Sequence, residues 1–330
     1  MASSMTRIAI LDDWQGIARA SADWSGLERR AQLKFYEQPL GGLEATARAL
    51  ADFDIILAMR ERTAFPAALI QGLTQLRLLN VTGSRTRTLD LDACTARGIV
   101  VCSTGGERSG AATAELALGL LLTATRHLAT ADASMRAGRF QSGVPAGRVL
   151  EGQTLGVVGL GRIGSRMARY ALALGMQVLA WSQNLTEEKA QAAGVRLVDK
   201  ATLLTQSDAI SLHLVLSDRT QGIIGAEDLA RMKPGAILIN TSRGPLVDEQ
   251  AMLERLRTGK LIAGLDVYGE EPLPAQHPLR SLPNVVLAPH LGYCTHEVYA
   301  QFHRESVENT LAFLDGKPMR VLNPEVRRPS

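Results

Sequence analysis

The chain has 330 residues, 46% of them hydrophobic and 21% charged, long enough for two compact units and too apolar for a disordered chain. A formal net charge of +3 with no long run of like charge leaves no footprint for nucleic acid or for a membrane surface. Cys94, Cys102 and Cys294 lack CxxC spacing and indicate neither a disulfide framework nor a zinc site, and no HxH or HExxH pattern suggests a metal.

In chain order, short β-prone runs alternate with helical patterns: Ile8 to Leu11, Leu33 to Tyr36, Asp54 to Leu57, Leu76 to Val81 and Ile99 to Cys102. Alternation of this kind predicts βαβ units on a parallel sheet. One long helix is expected from near Ala111 through Glu115, Leu118, Leu122 and His127 to near Met135, apolar on most of its faces. Its most apolar stretch, Leu116 to Ala124, is far shorter than a bilayer span, and the N-terminal residues form no signal peptide, so a cytoplasmic location is expected.

After the loop Gly138 to Gly147, a second strand series is predicted at Leu155 to Val158, Gln177 to Ala180, Ala209 to Leu212, Ala236 to Ile239, Leu261 to Leu265 and Val285 to Leu287. A helix near Thr295 to Leu314 follows. The fold class is therefore α/β, with two domains of doubly wound parallel sheet.

The segment Leu155-Gly-Val-Val-Gly159-Leu-Gly161-Arg162-Ile163-Gly164 joins an apolar strand to a helical pattern through GxGxxG. In that context Gly159 permits a tight turn, Gly161 lets the backbone approach a pyrophosphate, and Gly164 lets the helix pack on the strand. Arg162 and Ile163 lie in the same loop, at the helix start where free N–H groups favour phosphate. About twenty residues further on, where an NAD-specific site carries an acid for the ribose hydroxyls, this chain has Ser182. No like charge opposes a 2′-phosphate there, and no arginine stands beside Ser182 to bind one. NAD and NADP both stay open, with a small preference for NAD(H).

Three further segments carry groups for chemistry, each just after a predicted strand: Ile239-Asn-Thr241-Ser242-Arg243, Gly264-Leu-Asp266-Val-Tyr-Gly-Glu-Glu271-Pro272 and Ala288-Pro-His290-Leu-Gly292. Carboxyl ends of strands are where an open α/β sheet binds its ligands. Singly, Arg243 fits a helix-start cation, His290 a loop histidine and Glu271 a solvated residue before proline. Together, behind a dinucleotide motif, they form a catalytic set.

With the glycine motif, these segments resemble the D-isomer-specific 2-hydroxyacid dehydrogenase family, and the likeness runs over nearly the whole chain, including Asp90-Leu-Asp-Ala, Thr113-Ala-Glu115 and Met232-Lys-Pro-Gly. The resemblance implies a flavodoxin-like substrate domain from residues 1–109 and 292–330, and an inserted Rossmann-like NAD(P)-binding domain over 110–291. It implies the short form, without a C-terminal regulatory domain, and a homodimer formed through the nucleotide-binding domain around the long helix. Carried over by residue, Arg243 clamps the substrate carboxylate, His290 is the general acid and base, and Glu271 favours the imidazolium. Asp266 corresponds to a contact on the nicotinamide side, and Thr113, Thr241 and Ser242 belong to the cofactor set.

The loop Val81-Thr-Gly83-Ser84 resembles the family's backbone N–H loop for the substrate carboxylate, and the turn Met59-Arg60-Glu-Arg62-Thr occupies the neighbouring family position, where Arg60 or Arg62 is a candidate to bind a second acidic group, although the residues favour a surface pair with Glu61. His213 reads as packing and Cys294 as non-catalytic. Val215 stands where many relatives have proline, which puts the shape of that loop in doubt. The implied activity is hydride transfer between NAD(P)H and a 2-oxo acid or D-2-hydroxy acid. Two other readings share the fold: a nucleotide-sensing, corepressor-like binding protein, and a formate- or phosphite-type dehydrogenase.

Overall fold

Runs of aliphatic and β-branched residues in the first third of the chain form five parallel strands, β1 (Thr6–Ile10), β2 (Ala31–Phe35), β3 (Ile55–Ala58), β4 (Leu78–Val81) and β5 (Val100–Ser103). The computed structural model describes residues 5–83 and 87–326. The strands lie in the order β2-β1-β3-β4-β5, the flavodoxin-like arrangement, whose order reverses between β1 and β3. Every residue of β3 and β4 is buried, as strands covered by helices on both faces must be. One face packs Ile56, Leu69, Ile70 and Leu79, and the other Ile8, Trp24, Ile55 and Leu78.

The helix His296–Leu314 returns to this sheet and is tied to β4 by a buried polar chain. Asn80 Nδ2 donates to Ser306 Oγ at 2.8 Å, and Asn309 Nδ2 donates to Asn80 Oδ1 at 2.7 Å. Each buried amide thereby keeps a partner, without which its burial would be costly.

The middle of the chain forms seven parallel strands: β6 (Thr154–Val158), β7 (Gln177–Trp181), β8 (Arg196–Leu197), β9 (Ala209–Leu212), β10 (Ala236–Asn240), β11 (Leu261–Leu265) and β12 (Val285–Leu287). Their order, β12-β11-β10-β9-β6-β7-β8, is the Rossmann arrangement with one strand added beyond its usual six. The two-residue β8 was not anticipated, because it is too short to show a period in the sequence. By their contacts, Met1–Arg108 with Cys294–Ser330 make one unit and Ser109–Tyr293 the other.

The long helix expected between the two strand series is two helices, Ser109–Arg126 and Leu128–Arg136. His127 between them is left-handed, at φ 52°. The carbonyl of Thr125 accepts from the backbone N–H of Arg148, so the i to i−4 ladder is exchanged for a tertiary bond and the first helix ends there. That helix lies on β10 and β11, where the missing side chain of Gly264 makes room for Leu120.

Candidate active site

The glycine motif occupies the carboxyl end of β6 with the division of labour expected of it. Gly159 has φ 97°, and a Cβ there would come within 2.7 Å of the carbonyl oxygen of His213. Its N–H donates to the carbonyl of Trp181 at the end of β7. A Cβ on Gly164 would run into the carbonyl oxygen of Gly159, so only glycine lets the helix Gly164–Ala173 approach its strand so closely. A Cβ on Gly161 would meet nothing within 4 Å, so its backbone face is clear for a ligand. Ile163 is the residue immediately before this helix, and the Arg162 side chain lies over Gly110.

Beside this loop opens a cleft of about 450 Å³, lined from the ends of β6, β7 and β9. These strands flank the point where the strand order reverses, the place where such sheets take their ligands. The volume and the glycine cradle fit part of a dinucleotide. Ser182 lines the cleft, as do Lys189 and Arg219. Neither cation stands out in the sequence, since one lies on the helix Glu187–Ala192 and the other in the turn after β9, with no shared motif. His213 also lines it. Its Nε2 lies 2.8 Å from Ser211 Oγ, its Nδ1 is buried without a partner among the described residues, and desolvation pushes the imidazole down to about 4. It is a neutral ring at physiological pH. Val215 stands 61% exposed on the same rim.

The three segments that carry Arg243, Glu271 and His290 leave β10, β11 and β12, which are neighbours in the sheet and in register, Asn240 opposite Leu265 and Leu265 opposite Leu287. Adjacent strand ends thus bring together residues far apart in sequence. Arg243 follows β10 in extended conformation. Its backbone carbonyl accepts from Asn240 Nδ2, and its Nη1 donates to the carbonyl of Ser242 at 2.6 Å. Ser242 Oγ donates to the carbonyl of Leu212, tying this turn to β9. Thr241 is buried, and its hydroxyl has no partner among the described residues.

Glu271 and His290 form a close pair, Oε2 to Nδ1 at 2.6 Å, with side chains 24% and 19% exposed. The other oxygen of Glu271 accepts from the backbone N–H of Tyr268 at 3.0 Å, so the carboxylate is held from both sides. Tyr268 is itself fixed: its buried hydroxyl donates to the carbonyl of Ala288 at 2.8 Å. His290 sits at φ 56°, a left-handed conformation uncommon for a side-chain-bearing residue. The segment after it is pinned by Asp266, wholly buried, whose two oxygens accept from the N–H groups of Leu291 and Gly292 at 2.6 and 2.9 Å. Thr113 adds a third tie, its hydroxyl lying 2.8 Å from the carbonyl of Gly292. Observed strain held in place by its surroundings is a mark of functional loops.

In the other unit, Gly83 has φ 85°, and the Arg60 guanidinium lies over it, with Nη1 3.0 Å from where a Cβ would be. Arg60 is also left-handed, at φ 52°. Ser84 lies outside the described residues. No group of three or more His, Cys, Asp or Glu side chains among the described residues is arranged to hold a metal ion.

A family model described as the D-isomer specific 2-hydroxyacid dehydrogenase NAD binding domain matches residues 118–292. A D-3-phosphoglycerate dehydrogenase of Archaeoglobus fulgidus is 37% identical over 278 residues, which are 84% of this chain and 52% of the relative. The chain thus spans about half the length of that protein. A glyoxylate reductase of Thermococcus litoralis is 41% identical over 247 residues, 72% of this chain and 74% of the relative. The crystal structure of a phosphoglycerate oxidoreductase from Vibrio cholerae superposes with a TM-score of 0.89 at 35% identity, covering 94% of this chain and 100% of that one.

Proposed function

Since the chain belongs to the D-isomer-specific 2-hydroxyacid dehydrogenase family, we propose that it interconverts a 2-oxo acid and its D-2-hydroxy acid, with Arg243, Glu271 and His290 as the catalytic set. The observation that carries this reading is the Glu271–His290 pair at 2.6 Å on the strand end next to that of Arg243. A bound nicotinamide cofactor, NAD or NADP, supplies the hydride. Gly159, Gly161, Arg162, Ile163, Gly164 and Ser182 are proposed to hold it, with Thr113, Thr241, Ser242 and Asp266 toward its nicotinamide end.

With Nδ1 committed to Glu271, His290 is set to deliver a proton from Nε2 to the substrate oxygen in reduction and to withdraw it in oxidation. Glu271 stabilises the imidazolium and fixes the ring, a division of roles that needs a neighbouring carboxylate already held by its own partner. Arg243 is a permanent cation whose planar fork matches a carboxylate, and it draws electron density from the adjacent carbonyl. Asp266 and Thr113 keep the His290 segment from relaxing. Gly83 and Ser84 are proposed as further contacts to the substrate carboxylate, and Arg60 as a contact to a second acidic group on the substrate.

Assembly as a homodimer through the nucleotide-binding unit and a cytoplasmic location belong to the same proposal. Exposed Leu128, Met135 and Phe140 on and after the helix Leu128–Arg136 support the first. Light scattering on the purified protein checks it, and a monomer at micromolar concentration counts against it.

The test of the reaction is the loss of reduced-cofactor absorbance from NADH and NADPH in parallel, against glyoxylate, hydroxypyruvate, pyruvate and phenylpyruvate. Oxidation with one of them, and its loss in His290→Ala with cofactor binding kept, is the expected result. Silence across all four, with the cofactor tightly bound, would move the reading to a nucleotide-sensing protein.

A further inference from the structure

The cleft beside the glycine loop draws its wall from three strand ends, and the charges on that wall are of one sign. Among its described lining residues there is no carboxylate, while Lys189 reaches it from the helix Glu187–Ala192 and Arg219 from the turn after β9. Ser182, Gln183 and Asn184, at the end of β7, complete the wall with neutral hydrogen-bonding groups. Lys200 is paired with Asp228 and Lys233 with Asp208, whereas Lys189 and Arg219 have no ion-pair partner among the described residues. Both are exposed.

An NAD-specific pocket presents an acid at the end of the second strand, which accepts from the ribose hydroxyls and repels a 2′-phosphate. Here that position is Ser182, so neither effect operates. Two cations without partners, facing one cleft, are instead a receptor for a group carrying nearly two negative charges. Because both side chains are already in water, little desolvation opposes the binding, and neither has to abandon a carboxylate first. We infer that this end of the cleft takes the 2′-phosphate of an adenosine ribose, so that the protein uses NADP(H) in preference to NAD(H), with Lys189 and Arg219 as the phosphate-binding pair. The inference rests on the proposed reading of the cleft as a nicotinamide dinucleotide site, and it reverses the small preference for NAD(H) drawn from sequence.

Calorimetric or fluorescence titration of the whole protein with NADP⁺, NAD⁺ and 2′,5′-ADP, with no substrate present, tests it independently of turnover. NADP⁺ is expected to bind at least about tenfold more tightly than NAD⁺, with 2′,5′-ADP competing, and the margin should shrink as salt is added because exposed charges are screened. Lys189→Ala and Arg219→Ala should each weaken NADP⁺ binding several-fold and leave NAD⁺ unchanged, and Ser182→Asp should turn the preference toward NAD⁺. Equal or tighter binding of NAD⁺ by the unaltered protein overturns the inference and leaves the dinucleotide reading standing. Variants that weaken both cofactors alike also overturn it, since the residues would then act on the shared part of the molecule. Binding of neither cofactor removes the proposed function together with the inference.

Discussion

Replacing Glu271 by glutamine removes one charge from the proposed active site and little else. The amide oxygen can still accept from the Tyr268 N–H, and the side chain keeps its length, so His290 should stay close to its present orientation. What is lost is the charge-assisted bond to Nδ1, now 2.6 Å long between side chains less than a quarter exposed. Such a bond contributes about 1.5–3 kcal/mol. Without the carboxylate the imidazolium is less favoured, so the ring gives up its proton at lower pH. The sign follows from the chemistry: reduction needs the protonated ring, so its rate falls as pH rises through that pKa. In Glu271→Gln the alkaline limb of kcat/KM for 2-oxo acid reduction should move to lower pH, while oxidation, which needs the neutral ring, gains ground at lower pH. The assay is a steady-state pH profile of both directions for the two proteins. An alkaline limb in the same place in both would refute the role given to Glu271, whatever happened to the maximum rate.

Arg243→Lys keeps the charge but loses the planar fork, and should cost about 1.5–3 kcal/mol of transition-state stabilisation, or roughly 10- to 150-fold in kcat/KM, with cofactor affinity unchanged. Kinetics indistinguishable from the parent would remove Arg243 from the carboxylate. His303 is stacked on Tyr299 inside the first unit, and burial pushes its imidazole down from 6.5 to about 4. The ring is neutral in the fold but takes a proton in the unfolded chain below about 6.5, so its contribution is intact above that pH and is lost as pH falls toward about 4. The Tm should drop over this interval, and His303→Gln should flatten the drop; an identical profile would show that the titration lies elsewhere. Burial also holds the thiols of Cys94 and Cys102 at about 12. A thiol reagent at mildly alkaline pH should therefore modify only Cys294 in the native protein and all three cysteines after unfolding. Rapid native labelling of either buried thiol would contradict this.

The sequence alone determined what depends on local order. An apolar strand, three glycines at fixed spacing and a helical pattern specify one turn, because only glycine tolerates φ 97° at position 159 or the contact with its own loop at position 164. The strand series was legible for the same reason, since buried parallel strands are short apolar runs. The positions of Arg243, Glu271 and His290 after strand ends were legible because each follows such a run. Tertiary structure decided what depends on groups from different turns. The break at His127 arises from a bond between Thr125 and Arg148, and β8 exists only as a pairing with β7. Asp266 pins the segment after His290 through backbone N–H groups, which are the same in every sequence and carry no signal. Lys189 and Arg219 face one cleft only because strand order in the sheet differs from order in the chain, setting β9 beside β6 and β7 on the other side. Spacing along a sequence records local geometry, whereas the charge of a pocket is a sum over neighbours that only the folded sheet defines.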